Sequence, residues 1–301
     1  MTPIEKFLLF VAAPTVLGLS LLEGLVLSWH KGGYDWRACG VSFFDYALRI
    51  AVTIFLPITL AEPLLRWTIE HRLTDLHVND VGSFLLLFLG LEFCYYWLHR
   101  MGHRVRWFWC NHAVHHSPNQ LCLMASLRIG AFGKLIGGVI FLLPLIWLGF
   151  DTRLVLTALT LNLLYQFWIH ATWIPKLGWL EYVLNTPSAH RVHHAANLEY
   201  LDANYGGVLI VFDRLFGTYV EEREDLPCRY GLIHPITTNN PFKVEFGQWI
   251  QLGRDLLKAR SPQAVLGLLF KPPGWNPEGP GETTEEMRQR AADAGVTAQP
   301  S

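Results

Sequence analysis

Apolar runs dominate the first 170 residues, and most are long enough to be read as membrane helices. Residues 7–29, FLLFVAAPTVLGLSLLEGLVLSW, carry a single charge, Glu23. At ~1.5 Å rise per residue this run crosses a hydrocarbon core of ~30 Å. It is too long for a signal-peptide core, its N-terminal charge is weak, and no small-x-small site follows, so it reads as a retained anchor. Glu23 is costly in lipid and is expected to face protein or reach an interface. Residues 43–67 form a second apolar segment, broken or kinked by Pro57 and Pro63. Residues 80–98 form a third and end in aromatics. Residues 131–150 form a fourth. After the link Asp151–Arg153 the chain returns through residues 154–170, short for a span and holding Asn162 and Gln166. The pattern predicts an all-α, multi-pass membrane protein with four to five transmembrane helices.

Beyond His170 the apolar pattern stops. Turn signals stand at Asn185–Pro187 and Gly206-Gly207. Residues 242–270 read as an amphipathic segment lying on the membrane or on the protein. From Lys271 the chain is rich in Pro, Gly, Glu and Ala, which predicts an unstructured tail. These boundaries suggest anchor helices over 1–79, a catalytic region over 80–235, the amphipathic segment over 236–270 and the tail over 271–301.

Composition supports the membrane reading: 51% of residues are hydrophobic and 16% charged, where soluble domains carry about 25%. Charge is unevenly placed. Phe93 to Phe150 contains no Asp or Glu, yet holds Arg100, Arg104, Arg106, Arg128 and Lys134. A basic stretch between apolar spans is expected on the cytoplasmic side, and it offers a weak docking surface for an acidic protein. No basic tract interleaved with aromatics points to nucleic acid. The five cysteines form no CxxC pair, which argues against a disulfide framework, a zinc ribbon or an iron–sulfur cluster.

The histidines change the picture most. HRMGH places His99 and His103 one helical turn apart, directly after the third apolar segment. HAVHH supplies His112, His115 and His116, and HRVHH supplies His190, His193 and His194. On a helix, adjacent imidazoles diverge by about 100° while i and i+3 or i+4 converge, so each HxxHH unit suits two metal ions. His170 closes the fifth apolar segment and can approach the same place. A single structural zinc needs four ligands, so eight or nine imidazoles fit two ions better. Neither HExxH nor a pair of ExxH motifs is present, which disfavours a zincin and a carboxylate-bridged bundle.

HxxxH, HxxHH and HxxHH between membrane spans resemble the boxes of the fatty acid hydroxylase / sterol desaturase superfamily, membrane non-haem di-iron oxygenases, over roughly residues 80–220. QFWIH, LGWLEYVLNTPSAHRVHH and YLDANYGGVLIVFDRLFGT look most like the branch that contains alkylglycerol monooxygenase and many bacterial relatives. The resemblance implies a helical cytosolic cap over the spans, carrying two irons. It implies O2 as co-substrate, a lipid from the bilayer as substrate, and hydroxylation or desaturation of a C–H bond. By match to the boxes, His99, His103, His112, His115, His116, His190, His193 and His194 become iron ligands, and His170 matches a ninth. The chain departs from its relatives at Gln166, where some carry His, and at Ala171 and Ala189.

A metal-bound imidazole usually donates its other N–H to a carboxylate or carbonyl. Glu92, Gln166, Asn185, Asp202, Asn204 and Asp213 are the candidates for that supporting layer. Tyr95, Tyr96, Trp97, Trp107, Phe108 and Trp109 suggest an interfacial belt or a lipid portal. No nucleotide-binding GxGxxG or iron–sulfur Cys set is present, so electrons must come from a ferredoxin, a cytochrome b5-like partner or a reduced pterin. Two rivals remain at this stage: a metal transporter or store, needing ionisable residues at mid-span, and a zinc hydrolase, for which Glu181 and Glu199 are the nearest bases.

Overall fold

The computed structural model describes residues 1–30, 33–56 and 58–295. Among these, three helices are long and apolar enough to cross a membrane: α1 (Pro3–Trp29), α2 (Trp36–Phe55) and α4 (Val81–Arg104). Between the last two lies α3 (Glu62–Glu70). Glu23 of α1 faces protein: its carboxylate accepts the Leu123 N–H at 2.6 Å and the Trp173 indole N–H at 3.0 Å.

The second apolar segment does not form one span over residues 43–67. α2 stops at Phe55, and Pro63 stands in the first turn of α3, where its missing N–H costs nothing. Pro57 lies outside the described residues. The fourth segment does not span either. Gly130, Gly137 and Gly149 adopt left-handed backbone, with φ of 85°, 88° and 125°, and break it into turns and the short α6 (Leu143–Leu148). A Cβ on Gly149 would lie 2.2 Å from the Thr74 carbonyl oxygen. α7 (Thr152–Ile169) starts on an Asp151 cap and buries Asn162 and Gln166. Leu87, Leu91 and Cys94 of α4 pack with Leu142–Ile146, Phe150 and Val155 in the main apolar core.

Short elements follow: α5 (Arg106–His116), directly after α4, then α8 (Pro187–His193) and α9 (Val211–Leu215). The expected amphipathic stretch is two helices, α10 (Pro241–Lys258) and α11 (Pro262–Phe270), separated where Ser261 caps α11 and Pro262 opens it. The tail is not unstructured as its composition predicts. α12 (Thr284–Asp293) starts with a capping box between Thr283 and Glu286. Arg288 then ties it to the body, donating to the carbonyls of Leu198, Glu199 and Leu201. Residues 296–301 lie outside the described residues.

Candidate metal centre

α4 outruns its apolar stretch and carries His99 and His103 on its final turns. Val105 breaks the helix, and α5 turns back to present His112, His115 and His116. His170 caps the end of α7. Thr186 caps α8, whose residues and C-cap supply His190, His193 and His194. Four helix ends thus converge, and the nine imidazoles form two groups. His99, His103, His112, His116 and His193 make one, and His115, His170, His190 and His194 the other, with one ring nitrogen per residue within 4.8 Å of the rest. Each HxxHH unit feeds both. Its first and last histidines share a group and its middle one crosses over, as the angular divergence of neighbours requires.

The ring nitrogens are closer than hydrogen bonding explains. His112 Nε2 stands 3.1 Å from His99 Nε2, 3.1 Å from His103 Nε2 and 3.2 Å from His116 Nε2. In the second group His190 Nε2 stands 3.1 Å from both His170 Nε2 and His194 Nε2. A neutral imidazole nitrogen has one lone pair or one N–H and cannot satisfy three neighbours. His193 Nε2 is buried without any partner, an arrangement that is expensive unless something else is bound.

Four of the outward nitrogens are occupied, and that of His190 has no partner. Nδ1 of His99 bonds the Tyr205 carbonyl at 2.8 Å, that of His115 the Arg128 carbonyl at 2.7 Å, that of His170 the Gln166 carbonyl at 2.8 Å and that of His193 the Ala203 carbonyl at 2.9 Å. Donation to a carbonyl places the proton on Nδ1 and leaves the Nε2 lone pair facing inward. Burial first, and then the neighbouring histidines, hold the imidazoles outside the spans well below their usual range; His115 falls to about 4 and His170 to about 3. They are neutral donors at pH 7. This all-nitrogen set fits iron, zinc, copper or nickel, and the geometry suits two cations.

The supporting layer works through backbone more than the sequence suggests. Asp202 alone of the six candidates approaches a clustered imidazole by its side chain, with Oδ1 3.6 Å from His103 Nδ1 and Oδ2 accepting from Arg104 at 2.7 Å. Burial opposes its ionisation, but His103 and Arg104 outweigh it and hold the carboxyl at about 2. Glu92 touches no histidine. It accepts the N–H groups of Val208 and Leu209, both at 2.8 Å, and the Asn162 amide at 2.5 Å. Asp213 accepts the N–H groups of Tyr205 and Gly206, both at 2.7 Å; burial first, against those bonds, raises it to about 6. Asn185 donates to the Gly206 carbonyl, and Asn204, with φ 57°, to those of Ala189 and Val220. These four clamp the 202–209 loop that offers carbonyls to His99 and His193. The Gln166 side chain joins Tyr95 and Asn162, and only its carbonyl serves His170.

Further contributors escaped the sequence reading. Asp45 of α2 accepts the N–H groups of Ile129 and Gly130, both at 3.0 Å, and Glu245 of α10 that of Ala131 at 2.7 Å. They pin the turn that begins at the Arg128 carbonyl, which serves His115. Burial first, and then the Asp45 carboxylate, push the Glu245 carboxyl above its usual range. The signal for Asp45 was its place inside an apolar run, the argument already applied to Glu23. The carbonyls of Ala203 and Tyr205 had none. Tyr95 and Tyr96 are buried rather than interfacial, and Trp109 packs 5.3 Å from His103. Arg104 and Arg106 pair internally, with Asp202 and Asp255, and Arg128 is buried, which leaves little of the expected basic docking surface. Glu181 accepts from Ser188 at 2.7 Å and belongs to neither histidine group.

Comparison with known proteins agrees with the geometry. Residues 84–218 match the fatty acid hydroxylase family. The chain is 38% identical over 265 residues to the alkylglycerol monooxygenase of Xenopus tropicalis, covering 87% of this chain and 58% of that protein. It is 38% identical over 274 residues to that of Homo sapiens, covering 89% and 60%. To the ornithine lipid hydroxylase OlsE of Rhizobium tropici it is 31% identical over 134 residues, 44% of this chain and 40% of that one. The chain therefore spans about three-fifths of the length of these alkylglycerol monooxygenases. No solved structure matches. All nine clustered histidines lie within residues 84–218, the stretch of this chain that matches the fatty acid hydroxylase family.

Proposed function

We propose that this protein is an integral-membrane di-iron oxygenase that hydroxylates a lipid C–H bond, with ether lipids of the alkylglycerol class as the first substrates to test. The observation that carries the reading is the pair of buried groups of five and four inward-facing imidazoles. His99, His103, His112, His116 and His193 would hold one iron and His115, His170, His190 and His194 the other. Two bound irons supply O2 activation. Formation of an alcohol consumes O2, two electrons and two protons and releases water. Residues 80–235 then form the catalytic unit, on the cytoplasmic side of the membrane-spanning helices.

The chain's own residues hold and shield the centre. The carbonyls of Ala203, Tyr205, Arg128 and Gln166 fix four imidazoles in one tautomer. All nine are buried or half-buried, so bulk water is kept from the reacting atoms. Electrons come from a separate donor: a ferredoxin, a cytochrome b5-like protein or a reduced pterin. The test is to purify the protein, measure metal per chain and follow alkylglycerol oxidation with and without O2 and reductant. Two irons per chain and strict O2 dependence are expected. Zinc alone, with turnover that ignores O2, overturns the proposal.

A further inference from the structure

A cavity of about 1340 Å3 opens over the five-imidazole group, with His103, His116 and His193 at its inner end. None of the four-imidazole group lines it. It exceeds the roughly 300–1000 Å3 of ordinary small-molecule pockets, as a long-chain ligand requires.

Its two walls differ in chemistry. α10 turns Gln248, Gln251, Asp255 and Lys258 toward it, spaced three, four and three residues apart, so one polar stripe runs the length of the helix. Arg106 of α5 extends this wall through its ion pair with Asp255, and Gln251 donates to Asp255 at 3.0 Å. Leu266, Leu268 and Phe270 of α11, with Leu232 and Trp275, give the cavity its apolar lining, interspersed with Ser261, Gln263, Lys271 and Asn276. Gly267 lets the Trp275 ring close that lining, because a Cβ there would stand 2.3 Å from the ring. Along the cavity Arg106 pairs with Asp255 and Arg260 with Glu278 at 3.8 Å, and His234 Nε2 stands at hydrogen-bond distance, 2.8 Å, from Glu282. Lys271 lies over the Trp275 ring and Lys258 is exposed at the end of its helix.

We propose that this cavity is the lipid site, that Gln248, Gln251 and the Arg106–Asp255 pair recognise the headgroup, and that the preferred head is uncharged and hydroxyl-bearing. The inference rests on the lipid-oxidising reading above. Hydroxyls both donate and accept, and this wall offers amide N–H, amide oxygen, guanidinium and carboxylate together. A phosphate drawn to Arg106 would leave Asp255 unpaired beside it, a cost that an uncharged head avoids. The acyl or alkyl chain then lies along α11 and Trp275. This whole wall falls beyond residue 218, outside the stretch that matches the family.

The test uses the full-length, metal-loaded protein in nanodiscs. A 1-O-alkylglycerol with a diazirine at its chain end is photolysed, and labelled peptides are mapped with and without excess unmodified alkylglycerol. A second probe carries a phosphate on the same head. Competed labelling of residues 262–275 is expected, about tenfold stronger for the uncharged head. Gln251→Lys should reduce that preference about tenfold or reverse it, with metal content unchanged. Trp275→Ala should move the label along the arm formed by residues 262–275 and admit longer chains. Competed labelling confined to α1, α2, α4 or α7, or a preference that neither head charge nor Gln251→Lys alters, overturns the proposal. Labelling needs no turnover, so the two readings fail separately. Product without label on the arm removes this site alone. Label on the arm without O2-dependent product removes the oxidation reading alone.

Discussion

His112 is the residue on which the five-imidazole group turns, since its Nε2 meets three others. His112→Ala should lower bound metal from about two per chain to about one, because the other group keeps all four of its nitrogens. Metal analysis of the purified variant checks this, and two retained ions would contradict it. The glycines of the 202–209 loop matter through close approach. A Cβ on Gly207 would lie 2.4 Å from the Asn162 amide nitrogen and 2.9 Å from Tyr95. Gly207→Ala should therefore cost ~1–3 kcal/mol by overpacking and shift thermal unfolding downward. Gly18→Ala is the control. Gly18 sits mid-helix with nothing within 4 Å, so the change should be neutral or stabilise by ~0.5–1 kcal/mol.

At the scale of elements, what could be read from the sequence was what repeats or contrasts along it. The three histidine boxes contain eight of the nine clustered imidazoles, because i and i+4 geometry is a local property of helices, while His170 joins from outside any box. Helix α1 followed from an unbroken apolar run. Residues 131–150 are equally apolar but form turns and a short helix over 138–148 instead of one long helix, since Gly137 and Gly149 take left-handed backbone and composition does not register it. The carbonyls of Ala203 and Tyr205 were invisible, because every residue has a carbonyl and only the fold aims it. α12 was missed for a related reason: its composition is that of a solvated tail, and it is held mainly by Arg288 on three carbonyls and by Glu285 on Arg104 at 2.5 Å. Deleting α12 should loosen residues 198–202 and with them Asp202 beside His103. The expected result is faster amide exchange and earlier proteolysis confined to that loop, with the α4 core unchanged.

Across the whole molecule the clustered imidazoles tie stability to pH and metal together. His115 and His170 titrate at about 4 and about 3 in the metal-free fold, against 6.5 when unfolded. Between those values the unfolded chain binds protons that the fold refuses. The stabilisation is therefore present above pH 6.5 and is lost as pH falls toward 4 and then 3. Metal-stripped protein should show a falling melting temperature across that window. Metal-loaded protein should hold its value further into acid, until protons compete the ions away. The carbonyl bonds at Nδ1 have one more consequence. In His99, His115, His170 and His193 they park the proton on the nitrogen facing away from the centre, so those four lone pairs are bare before any ion arrives. Ion capture near neutral pH should then release almost no acid. Calorimetric titration in buffers of differing ionisation heat should return one common enthalpy, and filling of the site should follow the supply of metal rather than the acidity of its surroundings.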